Sequence, residues 1–213
     1  MGVYREMNRN HTGQYTFSPI VVGVDEAGRG PLAGPVAVGA VALLNPGVSQ
    51  SLEGVNDSKK LSPGARSLVF AKALELQDAG ALAFSVVFSD AETIDRLGIV
   101  PSISQALGRA LRALPVPPEH AHVLLDGSLK APAEFQNQKT IIRGDETEFA
   151  IGLASIVAKV ARDQLMEEEG SRYPQYGFEK HKGYGTVFHY QAIREHGLCP
   201  LHRVSFVDLT KIK

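Results

Sequence analysis

Cysteine is all but missing: Cys199 stands alone, so the chain forms no internal disulfide and suits a reducing, cytoplasmic setting. No apolar run approaches the roughly 20 residues that a membrane-spanning helix needs. Met1–Thr16 is polar and lacks the apolar core of a secretory signal, so residues 1–18 are expected to be a poorly ordered lead-in. Excess charge is lacking as well. The formal net charge is −1, which removes overall charge as an argument for a nucleic-acid partner. Its distribution says more, because residues 171–213 carry +4 and residues 1–170 carry −5. A basic tail beside an acidic body suits a phosphate-rich ligand over a metal site, and equally a solvated helix face. No G-x-x-x-x-G-K-[ST] occurs, and Gly28–Gly34 has one residue too many for G-x-G-x-x-G, with Pro31 spoiling its helix opening. These absences exclude an ordinary ATPase or dinucleotide enzyme.

What is present is an ordinary globular composition, 44% hydrophobic and 21% charged, in 213 residues without repeat or linker. Residues 19–213 are therefore expected to form a single domain. Val21–Val24 reads as a buried strand that ends in Asp25-Glu26 and a Gly/Pro turn. Val36–Leu44 reads as a second strand. Ser62 with Pro63 predicts a helix start, with Gly80 as its stop. Ala81–Phe88 alternates as a third strand, and helices follow over Asp90–Leu97 and Ser102–Leu114. His120–Leu125 is a fourth strand ending in Asp126, and Thr140–Ile142 a fifth. A long helix is expected over about 147–169, and another near Val187–His196. This order predicts a mixed α/β sheet flanked by helices.

Carboxylates at strand ends carry the chemistry. If the first and fourth strands are neighbours, Asp25 and Asp126 meet at one sheet edge, where α/β folds place ligands. Successive strand residues point to opposite faces, so Asp25 and Glu26 share a direction only if the strand ends there. Asp145, three residues before Glu148, reads either as a helix cap or as a further metal ligand. Asp163, four residues after Lys159, suits an intrahelical ion pair. Three or four carboxylates without a His/Cys cluster favour Mg²⁺ or Mn²⁺ over zinc. Such ions, about 4 Å apart, serve in-line phosphoryl transfer.

Assembled in this way, the chain resembles bacterial ribonuclease HII. The resemblance rests on Asp25-Glu-Ala-Gly-Arg-Gly-Pro-Leu-Ala-Gly-Pro-Val36, Asn56-Asp-Ser-Lys-Lys-Leu-Ser62, Leu125-Asp-Gly127, Gly144-Asp145, Ala154-Ser-Ile-Val-Ala-Lys-Val160 with Arg162-Asp163, and His181-Lys-Gly-Tyr-Gly-Thr186. These stand in the family's order over roughly residues 20–206. The resemblance implies an RNase H-like mixed five-stranded sheet with a C-terminal helical extension from about residue 170. It further implies Mg²⁺- or Mn²⁺-dependent hydrolysis of RNA in RNA–DNA hybrids, with incision 5′ of a single ribonucleotide in duplex DNA. Carried onto this sequence, the catalytic metal ligands are Asp25, Glu26, Asp126 and Asp145, which overrides the capping reading of Asp145 and leaves Asp163 structural.

The same resemblance assigns ribonucleotide recognition to Gly28, Arg29 and Gly30, with Tyr184 as their aromatic partner. Bare backbone at the two glycines would admit a 2′-hydroxyl closely, and Arg29 can grip a phosphate. Lys59 and Lys60 are expected on backbone phosphates, and Ser155 and Lys159, one helical turn apart, on the duplex. The expected partners are RNA–DNA hybrids and ribonucleotide-containing duplexes, met by a monomer without membrane contact. Arg143 stands where the family more often has Lys, and Ile151-Gly152-Leu153 replaces a small-residue run. The benefit of Gly152 inside a helix, at about 1 kcal/mol relative to Ala, is not visible in the sequence. The rival readings are another Mg²⁺-dependent nuclease on the same fold and a catalytically silent binder of duplexes.

Overall fold

The structure, a computed structural model, describes residues 7–9, 15–52, 55, 61–208 and 210. Lys59 and Lys60 lie outside the described residues, as does most of the expected lead-in. Within that lead-in, β1 (Met7–Arg9) and β2 (Tyr15–Phe17) pair antiparallel.

The body is a mixed five-stranded sheet ordered β5-β4-β3-β6-β7. Its strands are β3 (Ile20–Ala27), β4 (Val36–Leu43), β5 (Leu82–Ser89), β6 (Ala121–Asp126) and β7 (Gln138–Ile141). β3 and β4 pair antiparallel, as do β4 and β5, while β3–β6 and β6–β7 are parallel. Val, Ile and Ala fill the two central antiparallel strands because helices cover both of their faces. On one face, α4 (Ile99–Arg112) packs Ile103, Leu107 and Leu111 against Val22, Val24, Val38 and Leu125. On the other, α6 (Phe149–Arg172) lays Leu153, Ala154 and Val157 against the sheet, with α2 (Pro63–Asp78) beside it. Alternation along each strand sends one set of side chains to each layer.

Local signals place most helix starts. Ser62 Oγ accepts the Ala65 N–H at 3.2 Å, with Pro63 in the first helical position of α2. Asp90 accepts the Thr93 N–H at 2.8 Å and opens α3 (Ala91–Leu97). Two boundaries differ from expectation. α4 begins at Ile99 rather than Ser102, because Pro101 falls in its first turn, where a missing N–H breaks no intrahelical bond. The long helix starts at Phe149 rather than near 147, because a separate turn, α5 (Gly144–Thr147), precedes it and the chain is extended between them at Glu148, with φ −115° and ψ 114°.

The strand running into the carboxylates also differs. β3 does not end at Asp25 but continues through Glu26 to Ala27, held by pairing of Asp25 with Gly39 and Glu26 with Val38 on β4. Asp25 and Glu26 therefore alternate instead of sharing a direction. α6 comes unusually close at this point. A Cβ on Gly23 would meet the Ala150 carbonyl carbon at 2.1 Å, and one on Gly39 the Ala154 oxygen at 2.5 Å. Small residues on β3 and β4 thus bring a helix down onto the Asp25 face. Gly152 finds its reason here too, since a Cβ there would meet the Val55 oxygen at 2.7 Å and the Asp145 oxygen at 3.0 Å.

After α6 come α7 (Phe178–His181) and α8 (Val187–His196), the expected C-terminal helices. They form a third apolar cluster in which Tyr176, Phe178 and Ile193 pack with Leu32 and Met166. Through Leu32, this extension is anchored to the turn that follows β3. Among the described residues, no helix is long and apolar enough to cross a membrane.

Candidate functional site

Parallel pairing sets the first two carboxylates side by side. Val24 on β3 is in register with Leu125 on β6, so Asp25 and Asp126 follow at the same level of adjacent strands. Asp25 is buried, at 6% exposure, and its Oδ1 accepts the Glu26 backbone N–H at 2.7 Å. Burial above all pushes its carboxyl up to about 8. The Ser155 hydroxyl and that N–H pull the other way, while the charges of Glu26 and Asp126 add to the rise. Glu26, half-buried, is also shifted upward, by burial first and against the nearby Arg29 guanidinium.

Asp126 Oδ1 accepts the Gly144 N–H at 2.7 Å. This bond holds α5 against the end of β6, and α5 carries Asp145, which is completely buried. The capping reading of Asp145 fails. The residue before α6 is Glu148, and Asp145 lies inside the preceding turn rather than at a helix entrance.

A cavity of about 430 Å³ opens at the end of β3. Glu26, Gly28, Arg29 and Gly30 line it from the strand end and turn, Ser155 and Lys159 from α6, and Tyr184 from the loop before α8. Tyr184 is half-exposed there, at 48%. The structure thus brings together seven of the residues singled out from the sequence. Arg29 Nη1 reaches Glu26 Oε1 at 3.4 Å. Lys159 Nζ bonds both oxygens of Asp163, at 2.6 and 2.8 Å, so Asp163 is occupied in an intrahelical pair.

The donor set is chemically suited to a hard divalent cation, because it is made of carboxylate oxygens only. Asp25 in particular is a buried acid beside two others, an arrangement that a cation would relieve. As they stand, no three His, Cys, Asp or Glu side chains among the described residues are grouped closely enough to hold an ion.

Sequence reasoning missed several residues here. Arg66, in the first turn of α2, lines the cavity and donates to the Leu61 oxygen at 2.7 Å. Arg162 is buried and donates to the carbonyls of Pro35 (2.8 Å), Lys182 (3.0 Å) and Ala33 (3.2 Å). It therefore ties the turn after β3 to the loop that bears Tyr184. The Gly183 oxygen completes the join, accepting from Leu32 and Ala33 at 2.8 and 3.2 Å. The two glycines of the Gly28–Gly30 turn serve different ends. A Cβ on Gly28 would lie 2.0 Å from Arg162 Nε, whereas one on Gly30 would meet nothing within 4 Å. Gly28 makes room for an arginine beneath it, and Gly30 alone leaves open space outside.

The basic tail also reads differently. Arg203 is fully buried, Arg172 pairs with Glu169 at 2.7 Å, and Lys182 with Glu167 at 2.8 Å. These three charges are spent on partners within the chain rather than offered to a ligand.

Comparison with known proteins agrees with this geometry. The family model described as Ribonuclease HII matches residues 22–209. A ribonuclease HII of Geotalea daltonii is 50% identical over 186 residues, covering 87% of this chain and 82% of that protein. One from Pelodictyon phaeoclathratiforme is 46% identical over 193 residues, covering 88% and 89%. Among solved structures, ribonuclease H2 from Pyrococcus horikoshii OT3 superposes with a TM-score of 0.70 at 26% identity, covering 91% of this chain and 96% of that one. Bst-RNase HIII, solved with Mn²⁺, shares the fold with a TM-score of 0.71 at 21% identity, over 92% of this chain and 69% of that one.

Proposed function

The chain belongs to the ribonuclease HII family and is a ribonuclease H, an endonuclease acting on the RNA of RNA–DNA hybrids; from that premise we propose that it also incises duplex DNA 5′ of a single embedded ribonucleotide. The P–O3′ bond breaks, water supplies the hydroxyl to phosphorus and the proton to O3′, and the ends are a 3′-hydroxyl and a 5′-phosphate. The observation that supports this reading is the meeting of Gly28–Gly30 with Tyr184 in one cavity with Glu26.

In this reading Asp25, Glu26, Asp126 and Asp145 hold Mg²⁺ or Mn²⁺, the latter being the ion in the solved Bst-RNase HIII. Two such ions would lower the pKa of the attacking water and stabilise the departing oxygen. The protein's own groups do the rest. Ser155 and the Glu26 N–H favour the carboxylate form of Asp25 against its burial. Backbone at Gly30 admits the 2′-hydroxyl, the atom that separates RNA from DNA. Tyr184 stacks on the deoxyribose that follows, where an added hydroxyl would be crowded. Arg29 and Lys159, with Lys59 and Lys60, contact phosphates and set the register of the strand.

The test is incubation with a duplex containing one ribonucleotide, in Mg²⁺, Mn²⁺ or EDTA. A nick 5′ of the ribonucleotide that depends on the metal is expected. Hydrolysis of long hybrids without that nick would overturn the proposal.

A further inference from the structure

Arg203 is fully buried, and its whole fork is spent on one short turn. Nη2 donates to the Gly28 oxygen at 2.7 Å, Nη1 to the Arg29 oxygen at 3.0 Å, and Nε to the Gly34 oxygen at 2.9 Å. Its backbone N–H adds a bond to the Leu32 oxygen at 2.7 Å. The guanidinium is held from behind by the Phe206 ring, 5.2 Å from its centroid. The chain just beyond is fixed by Asp95, whose carboxylate accepts the Val204 and Ser205 N–H groups at 2.7 and 3.0 Å.

Burying a guanidinium costs free energy unless its donors are satisfied. Here carbonyls satisfy them, and a second buried arginine, Arg162, lies close enough for its charge to oppose that of Arg203. Simple packing would be served better by an apolar residue of similar volume. What Arg203 does that an apolar residue cannot is to fix the direction of two consecutive peptides. The carbonyls of Gly28 and Arg29 both turn inward onto it. In a trans peptide the N–H points opposite to the C=O. The N–H groups of Arg29 and Gly30 therefore turn outward, on the side where these residues line the cavity. Among the described residues no acceptor meets either of them.

We propose that Arg203 is a positioning residue for substrate selection: it orients the Gly28–Arg29 and Arg29–Gly30 peptides so that two adjacent N–H groups face the ribonucleotide. A pair of such donors fits the 2′-hydroxyl oxygen of the selected sugar. The inference rests on the proposal that Gly28–Gly30 chooses the sugar, and it adds what holds that segment in its selecting conformation. Arg203 touches no reacting atom.

The experiment compares binding, without divalent metal, of a duplex containing one ribonucleotide with binding of the same duplex built only of deoxyribonucleotides, in wild type, Arg203→Lys, Asp95→Asn and Gly30→Ala. Lysine keeps the charge but cannot span three carbonyls with a planar fork. Arg203→Lys is expected to lower the ratio of the two affinities, ribonucleotide-containing over all-DNA, by about tenfold, the worth of one good hydrogen bond. Asp95→Asn loosens the same segment without altering the cavity lining, and is expected to shift the ratio in the same direction by about threefold. It serves as the reporter should Arg203→Lys not fold. A proportional loss on both duplexes, or an unchanged ratio in whichever of these variants folds, would overturn the role of Arg203. Gly30→Ala separates the two proposals. If it shifts the ratio while Arg203→Lys and Asp95→Asn do not, sugar selection by the turn stands and the positioning role falls. If none of the three shifts it, the underlying assignment of Gly28–Gly30 falls with it.

Discussion

The Asp126 carboxylate holds the Gly144 backbone N–H at 2.7 Å, so one strand-end acid fixes the turn that carries the next, Asp145. Asp126 thus has a charge to offer and a bond to keep, and the two can be separated. Asp126→Asn retains an acceptor for Gly144 but loses the charge. It is expected to reduce hybrid cleavage by about a thousandfold or more, with stability changed by about 1 kcal/mol at most. Asp126→Ala should lose activity and also lower the thermal midpoint. Cleavage rates and melting curves of the two variants make the comparison, and a fully active Asp126→Asn would remove this residue from the metal site.

The neighbouring glycines should respond oppositely to a methyl group. Gly28 has φ +87°, and a Cβ would fall 2.0 Å from Arg162 Nε. Gly28→Ala is expected to cost about 2–4 kcal/mol, through left-handed strain and displacement of a buried arginine. Gly30→Ala, with open space around it, should melt within about 0.5 kcal/mol of wild type while impairing incision at a single ribonucleotide. Equal melting points for the two variants would contradict the packing of Arg162 under Gly28.

Tyr184 is half-exposed beside the Gly28–Gly30 turn. Tyr184→Ala is expected to slow incision at a single ribonucleotide by about tenfold or more, the scale of a lost stacking contact. Long hybrids should be affected less. A steady-state comparison on the two substrates decides this, and equal losses would refute a role at the RNA–DNA junction.

A chain of histidines supports the same loop. His202 Nδ1 lies 2.9 Å from the Cys199 N and 3.2 Å from the Cys199 oxygen, and the shorter contact, in which the Cys199 N–H donates, puts the His202 proton on Nε2. That nitrogen lies 3.1 Å from His189 Nε2, and His189 Nδ1 then donates to the Tyr184 oxygen at 2.9 Å. The His181 ring stacks on His189 at 4.4 Å. Burial, with His181 and His202 alongside, pushes His189 down to about 4, from the ordinary 6.5. A histidine depressed in the folded state contributes stability above its unfolded pKa and loses it as pH falls toward the folded one. This residue should therefore remove up to about 3 kcal/mol between pH 6.5 and 4. Ring NMR should find His189 neutral until about pH 4, and a titration near 6.5 would contradict the relay.

Much of this protein follows from local rules that act within a few residues. Apolar runs of strand length gave β3, β4 and β6, and the strand-end acids Asp25 and Asp126 were visible as charges against apolar neighbours. Ser62, Asp90 and Pro63 marked helix entrances because capping needs only the next three residues. The split before α6 was not legible. Asp145 and Glu148 have capping-box spacing, but the bond from Asp126 to Gly144 and the close approach of Gly152 to the Asp145 backbone decide where each side chain goes.

By itself the sequence determined the alternation, the caps and the supply of carboxylates, because these depend on residue type and near spacing. Only the tertiary structure decided that Gly28 serves an arginine beneath it and that Arg203 faces inward. An arginine in a basic tail reads as solvated, since nothing local offers it carbonyls. Arg203 finds them at Gly28, 175 positions away. Partners at that separation exist only once the chain has closed on itself.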